Sequence, residues 1–177
     1  MLSKTKTTAV LFSKAKDIKA LEAKVSLTIQ GTPVQLAPQV KFLGVTYDQR
    51  LSWRPHINSV VERTKAPYNV MRNVSAQSWG ASKKALLTLY KALVRSRLDY
   101  GCEAFYSAPT SQLSRLDNIQ HKCLRLCCGA MACTPVNALE QDCGEMPLSI
   151  RRTFQKARKI GATIFGQSGV KPVQPRP

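Results

Sequence analysis

The spacing of apolar residues changes once along this chain, near residue 54, and that change restricts the fold more than any motif does. Before it, apolar side chains tend to alternate, the period of a half-buried strand. "TTAVLF", from Thr7 to Phe12, is β-branched and apolar. "VSLTI", from Val25 to Ile29, alternates, "QGTP" turns on Gly31, and "VQL", from Val34 to Leu36, returns, which is the signature of a hairpin. "VKFLGVTYDQRLSW", from Val40 to Trp53, opens as a further strand, reaches Leu43-Gly44, and leaves through polar residues and a Trp expected in solvent.

Past residue 54 the period is helical. Ile57, Val60, Val61, Thr64, Tyr68 and Met71 share one face. Pro67 removes a backbone donor inside that pattern and is expected to kink or split the helix. Ser82 is placed to cap a second helix, with Leu86, Tyr90, Leu93, Val94 and Arg97 along one stripe and Gly101 as its stop. Ser111 opens a third, with Leu113, Leu116, Gln120, Cys123 and Cys127 inward and Gly129 at its end. Thr134-Pro135 starts a short helix that Gly144 closes. Pro147 opens a last one, with Ile150, Phe154, Ala157, Gly161 and Ile164 on the face expected to be inward. The fold class expected is α+β. A small N-terminal antiparallel β layer over residues 1–53 precedes a mainly α-helical bundle over residues 54–167. A basic, Pro-rich tail over residues 168–177 is expected to be disordered.

Charge narrows the partners. Lys+Arg number 27 and Asp+Glu 10, a formal charge of +17. The balance is 8 to 3 in residues 1–53, 9 to 3 in 54–110 and 10 to 4 in 111–177, so the excess belongs to the folded segments and not to a tail. Such a field attracts polyanions, a phosphate backbone first and an acidic membrane surface second. The bland alternative is a solubilising surface. No run approaches 18 apolar residues, so no membrane span is expected. Lys83 and Lys84 fall in the first turn after Ser82, where the helix dipole disfavours cations and free backbone N–H groups bind anions. With Lys91 they are candidate phosphate contacts, weighed against plain solvated lysines. Trp79 either stacks on a base or, more simply, caps the core.

Signals for chemistry are sparse. The six Cys all lie between Cys102 and Cys143 with no secretory signal ahead of them, so a disulfide framework is not expected. Cys123 and Cys127 are one helical turn apart on an apolar stripe, which suits small core residues better than zinc ligands on turns. The two His, His56 and His121, sit in no recognisable nucleophile signature. No Gly-rich phosphate loop occurs. The acids are scattered, and no Asp-Asp pair exists to hold metal ions for nucleotidyl transfer.

The segments "KFLGVTYDQRLSWRPHI", "WGASKKALLTLYKALVRSRLDYGCEAFYSA", "LDNIQHKCLRLCCGA" and "TPVNALEQDCGEMPLSIRR" carry a resemblance. In order and spacing they are similar to the region after the catalytic palm in reverse transcriptases of non-LTR (LINE-type, jockey-like) retrotransposons. The likeness covers roughly Ser3 to Arg152. It implies that residues 1–53 are the end of the palm with the primer-grip strands, and that residues 54–167 are the helical thumb and post-thumb region. Phe42, Leu43 and Gly44 resemble the primer grip. Lys4-Thr5 looks like the Lys-Thr of the last palm motif, with Lys4 near the incoming nucleotide and its leaving pyrophosphate. The partners implied are an RNA template with its DNA primer, plus the fingers and the rest of the palm. Mg²⁺ is implied for the parent enzyme and no cofactor for this stretch. The site implied is the nucleus or cytoplasm, in a retrotransposon ribonucleoprotein that is not secreted. With Met1 falling inside the palm and no Tyr-x-Asp-Asp segment, the expectation is a truncated copy or partial gene model without polymerase activity of its own. The alternative is a non-catalytic basic module that binds nucleic acid.

Overall fold

The computed structural model describes residues 7–29, 31–75 and 80–168, with side chains as far as residue 161 in the last helix. The β residues form two separate antiparallel hairpins instead of one continuous layer. The first pairs β1 (Thr28–Ile29) with β2 (Thr32–Pro33) around Gly31, whose φ is +76°. It is shorter than the alternation suggests, because its flanks find no third strand to lie against. The expected strand through Thr7 to Phe12 makes only one parallel bridge, Ala9 to Leu36. A one-turn helix that the sequence did not announce, α1 (Ile18–Glu22), comes next, and the Asp17 carboxylate caps it by accepting from Ala20 N–H at 3.2 Å. The second hairpin, β3 (Gln39–Phe42) with β4 (Val45–Asp48), is the one that meets the helices.

Helix α2 (Arg54–Val74) buries Ile57, Val60, Thr64 and Met71 of the stripe that the spacing foretold, leaves Val61 and Tyr68 half-buried, and also buries His56, which was not on that stripe. It runs unbroken through Pro67. The ring removes one N–H, but Pro67 itself is buried, so apolar contact offsets the lost bond and the expected split does not occur. Trp53 overturns a second expectation. It is only 3% exposed, edge-on to Tyr47 at 5.3 Å between ring centres. The cause is Asp48: its carboxylate accepts from Ser52 N–H and Trp53 N–H, both at 2.9 Å, and folds the polar exit back over the core. Burial pushes the Asp48 carboxyl up, yet those bonds outweigh it and the net shift is downward.

The next helix is one continuous run: α3 (Lys83–Leu89), a π-helical turn (Tyr90–Arg95) and α4 (Ser96–Asp99). Ser82 caps it as expected, accepting from Ala85 N–H. Leu86, Tyr90, Val94 and Leu98 are buried while Arg97 is exposed. A spacing of four repeated three times drifts off an α-helical face, and the wider π turn keeps it inward. Helix α5 (Thr110–Cys128) begins behind Pro109 and α6 (Val136–Cys143) behind Pro135; neither Ser111 nor Thr134 is the cap. Gly129 and Gly144 end these helices at φ +61° and +62°. The core is shared by α2, the Lys83-to-Asp99 helix, α5 and α6, with Val45 and Trp53 reaching in from the second hairpin.

Helix α7 (Leu148–Ser168) docks the other way round from the expected one. Ile150 is 56% and Phe154 60% exposed, and Ala157 is exposed too. The opposite face is the attached one. Arg152 reaches Asp117 at 2.8 Å, Arg151 reaches Asp99 at 2.9 Å, Gln155 accepts from the Cys102 thiol at 2.8 Å, and Lys159 pairs with Glu103. Leu148 seats the start of the helix in the core, and beyond it the docked face is held by polar pairing. The side chain of Ile164 and the tail over residues 169–177 lie outside the described residues.

His56 gives this fold a pH dependence. It is fully buried against Phe105, and its Nδ1 accepts from Thr46 N–H at 3.3 Å. Burial, and then the Arg63 charge, hold its pKa below the ordinary 6.5. A depressed histidine pKa means that the unfolded chain takes up the proton first as pH falls. Its contribution is therefore full above pH 6.5 and is lost as pH drops through the lowered folded value. Melting temperature should fall between pH 7.5 and 5, and His56→Asn should flatten that slope.

Candidate nucleic-acid interface

The tip of the second hairpin is built from Phe42, Leu43 and Gly44. Leu43 has φ +45° and Gly44 φ +79°, two successive positive values as in the tight turns that suit a twisted hairpin. Glycine takes such a value freely. Leucine does not, at a cost of about 1–2 kcal/mol. Leu43 is also 75% exposed and Phe42 62%, so neither burial nor packing explains them. A strained, exposed apolar tip is where a functional contact is sought.

The tip is fastened from the helical side. Tyr100, just past α4, donates its hydroxyl to the Leu43 carbonyl at 2.7 Å. Its ring packs on Gly44, where an added Cβ would stand 3.1 Å from Tyr100 Cε1. One residue on, Gly101 at φ +67° lets Val45 approach so closely that a Cβ there would meet Val45 Cγ2 at 2.7 Å. Sequence reasoning assigned neither Tyr100 nor Gly101 to the site. A separation of 57 positions between Leu43 and Tyr100 hides the contact, and only the placing of an aromatic beside Gly101 could have signalled it. Between tip and helix lies a groove of about 400 Å³, lined by Phe42, Leu43, Tyr47, Tyr100, Glu103 and Lys159 among others. Burial raises the Glu103 carboxyl, but its bond to Lys159 brings the net value below the ordinary one, so the pair stays charged and balanced.

Lys83, Lys84 and Lys91 gather around a separate hollow of about 440 Å³ with Leu87 and Thr88. Two of the three are engaged. Lys83 Nζ sits 2.7 Å from Asp142 Oδ1, and Lys91 Nζ 3.2 Å from Glu145 Oε1. The Asp142 bond raises the Lys83 pKa and lowers that of Asp142. Lys84 is exposed and has no acid within salt-bridge distance among the described residues. The two groups of candidate residues share no lining side chain. Lys4 and Trp79 lie outside the described residues.

Comparison with known proteins bears on what this tip belongs to. A Pol polyprotein of the type-1 retrotransposable element R1 of Bradysia coprophila is 25% identical over 99% of this chain and 17% of its own length. The RNA-directed DNA polymerase of the mobile element jockey of Drosophila melanogaster is 27% identical over 82% of this chain and 15% of its own. A probable RNA-directed DNA polymerase of the transposon X-element, from the same fly, is 30% identical over 57% and 11%. The chain is related to the RNA-directed DNA polymerases of non-LTR retrotransposons. It spans less than a fifth of the length of each of these three polymerases. No family model and no solved structure matches it. Among the described residues no three Asp, Glu, His or Cys side chains are grouped so that they could hold a metal ion. No helix among them is long and apolar enough to cross a membrane.

Proposed function

We propose that this chain is the primer-grip and thumb portion of a non-LTR retrotransposon reverse transcriptase, holding an RNA/DNA duplex without polymerising by itself. The observation that carries the reading is the exposed, strained Leu43 tip fastened to the helical part by Tyr100. A surface that only kept the chain soluble would not maintain a strained apolar tip there. The +17 charge supports a partner contacted through its phosphates. The acid pair that two-metal transfer requires is missing from the sequence, so the catalytic carboxylates would come from elsewhere in the polymerase. On this reading the chain works in a ribonucleoprotein of the nucleus or cytoplasm.

The test is fluorescence anisotropy of a labelled RNA/DNA hybrid against a salt series. Binding should weaken steeply with salt, with little dependence on base sequence. The chain should not extend a primer when given Mg²⁺ and dNTPs. Extension by the purified chain would sink the proposal, as would salt-independent binding. A finer arm uses Leu43→Asn. Asn tolerates positive φ in a tight hairpin, so this change should raise stability by about 1 kcal/mol. The same change removes the apolar tip and should weaken duplex binding. A variant both more stable and fully able to bind would mean that the tip is not the contact.

A further inference from the structure

Four of the six Cys are buried: Cys102, Cys123, Cys127 and Cys143. Cys123 and Cys127 behave as small core residues, with burial pushing each thiol up to about 12. The Cys128 thiol is pushed up to about 12 as well, by burial and then by Cys143 and Asp142, but its position differs. It is half-exposed, and its Sγ lies 2.9 Å from Cys143 Sγ. The two sulfurs need to close by less than one ångström to reach the ~2.05 Å of a disulfide.

The surroundings allow that closure. Cys128 is the last residue of α5 and Cys143 the last of α6. Each is followed by a left-handed glycine, Gly129 and Gly144, and a Cβ added at either would meet nothing within 4 Å. The backbone just past each cysteine is therefore open on its Cβ side, while the Glu145 N–H bond to the Glu140 carbonyl fixes where α6 ends. The half-exposed Cys128 gives a small reagent access, and the buried Cys143 is the partner behind it. Asp142 stands beside the pair, accepting from the Cys128 thiol and from Lys83.

We propose that Cys128 and Cys143 form a reversible disulfide on exposure to a low-molecular-weight disulfide of the glutathione class, clamping the C-terminal ends of α5 and α6. Cys128 Sγ loses its proton and attacks one sulfur of the reagent, forming a mixed disulfide and releasing one thiol. Cys143 Sγ then loses its proton and attacks the Cys128 sulfur, releasing the second thiol. Two protein thiols are oxidised and one reagent disulfide is reduced to two thiols. In a reducing compartment the bond reopens by the reverse exchange, as a sensing disulfide does. This inference is independent of the duplex-holding reading.

The experiment uses the full chain carrying Cys133→Ser, because Cys133 is the exposed competitor. After incubation with oxidised glutathione, intact mass should fall by two hydrogens with no glutathione retained. Cleavage after Glu140 and Glu145 should release the Cys143 peptide joined to the one that carries Cys128. The melting temperature should rise by roughly 5–10 °C and return on adding dithiothreitol, as a short closed loop warrants. The mass loss should survive a further Cys127→Ser change and vanish with Cys128→Ser. A retained glutathione adduct, or a mass loss that persists without Cys128, would overturn the proposal. The joined peptide also carries Cys123 and Cys127, so its fragmentation in the mass spectrometer, expected to place the bond on Cys128, decides the matter on the Cys133→Ser chain even if the Cys128 variant fails to fold.

Discussion

Replacing Glu145 by Ala is expected to cost about 3–5 kcal/mol, a large fraction of the stability of a chain this size. The Glu145 side chain is 2% exposed and meets three cations: Lys91 and Arg95 at 3.2 Å and Arg151 at 3.3 Å. Those cations come from the π turn and from α7, and the Glu145 backbone N–H closes the end of α6 by donating to the Glu140 carbonyl at 2.9 Å. One carboxylate thus joins three elements. Without it, Arg95 and Arg151 remain partly buried with like charge nearby, and only Asp99 still holds Arg151. Lys91 can turn into water, which keeps the cost near the lower end of the range. Urea denaturation would measure it, with Glu145→Gln expected to fall between Ala and the parent. An Ala variant within about 1 kcal/mol of the parent would show that the cluster is surface decoration.

That cluster also marks where sequence reading stops. The stripe of α2 was legible because its residues face one core, and period alone reports a face. The apolar stripe of α7 has the same period, but period does not report whether the face is covered. Cover is decided by Asp99, Glu103 and Asp117, residues far away in sequence that pair with the other side. Lys83 and Lys91 looked like free phosphate contacts for the same reason: Asp142 and Glu145 are more than 50 residues away from them. The strand that runs to Leu43-Gly44 was legible, since alternation and glycine are local signals, but its return as Val45–Asp48 was read only as a polar exit. The fastening of the tip by Tyr100 was not legible. The π turn was foreshadowed by the strict four-residue repeat of Leu86, Tyr90, Val94 and Leu98, although only part of that repeat was read as a stripe.

The second large effect lies at the joint between hairpin and helices. Gly101→Ala should destabilise the chain by roughly 2–5 kcal/mol, from two separable causes. A left-handed backbone at φ +67° disfavours any L side chain by about 1–2 kcal/mol. The new Cβ would also stand 2.7 Å from Val45 Cγ2, inside contact distance, and forcing bulk into packed space costs about 1–3 kcal/mol. Val45 is buried and short, so it cannot swing clear as a long side chain would. A double-mutant cycle separates the causes. Val45→Ala alone opens a cavity and destabilises; in the Gly101→Ala background it should cost less, because it also removes the clash. The backbone part should remain in both. Val45 belongs to β4, directly beyond the Leu43-Gly44 turn, so the same variant should displace the tip and weaken hybrid binding more than its stability loss alone explains. Additive stability changes across the cycle would show that Val45 and Gly101 do not press on each other, and that the joint does not set the position of the tip.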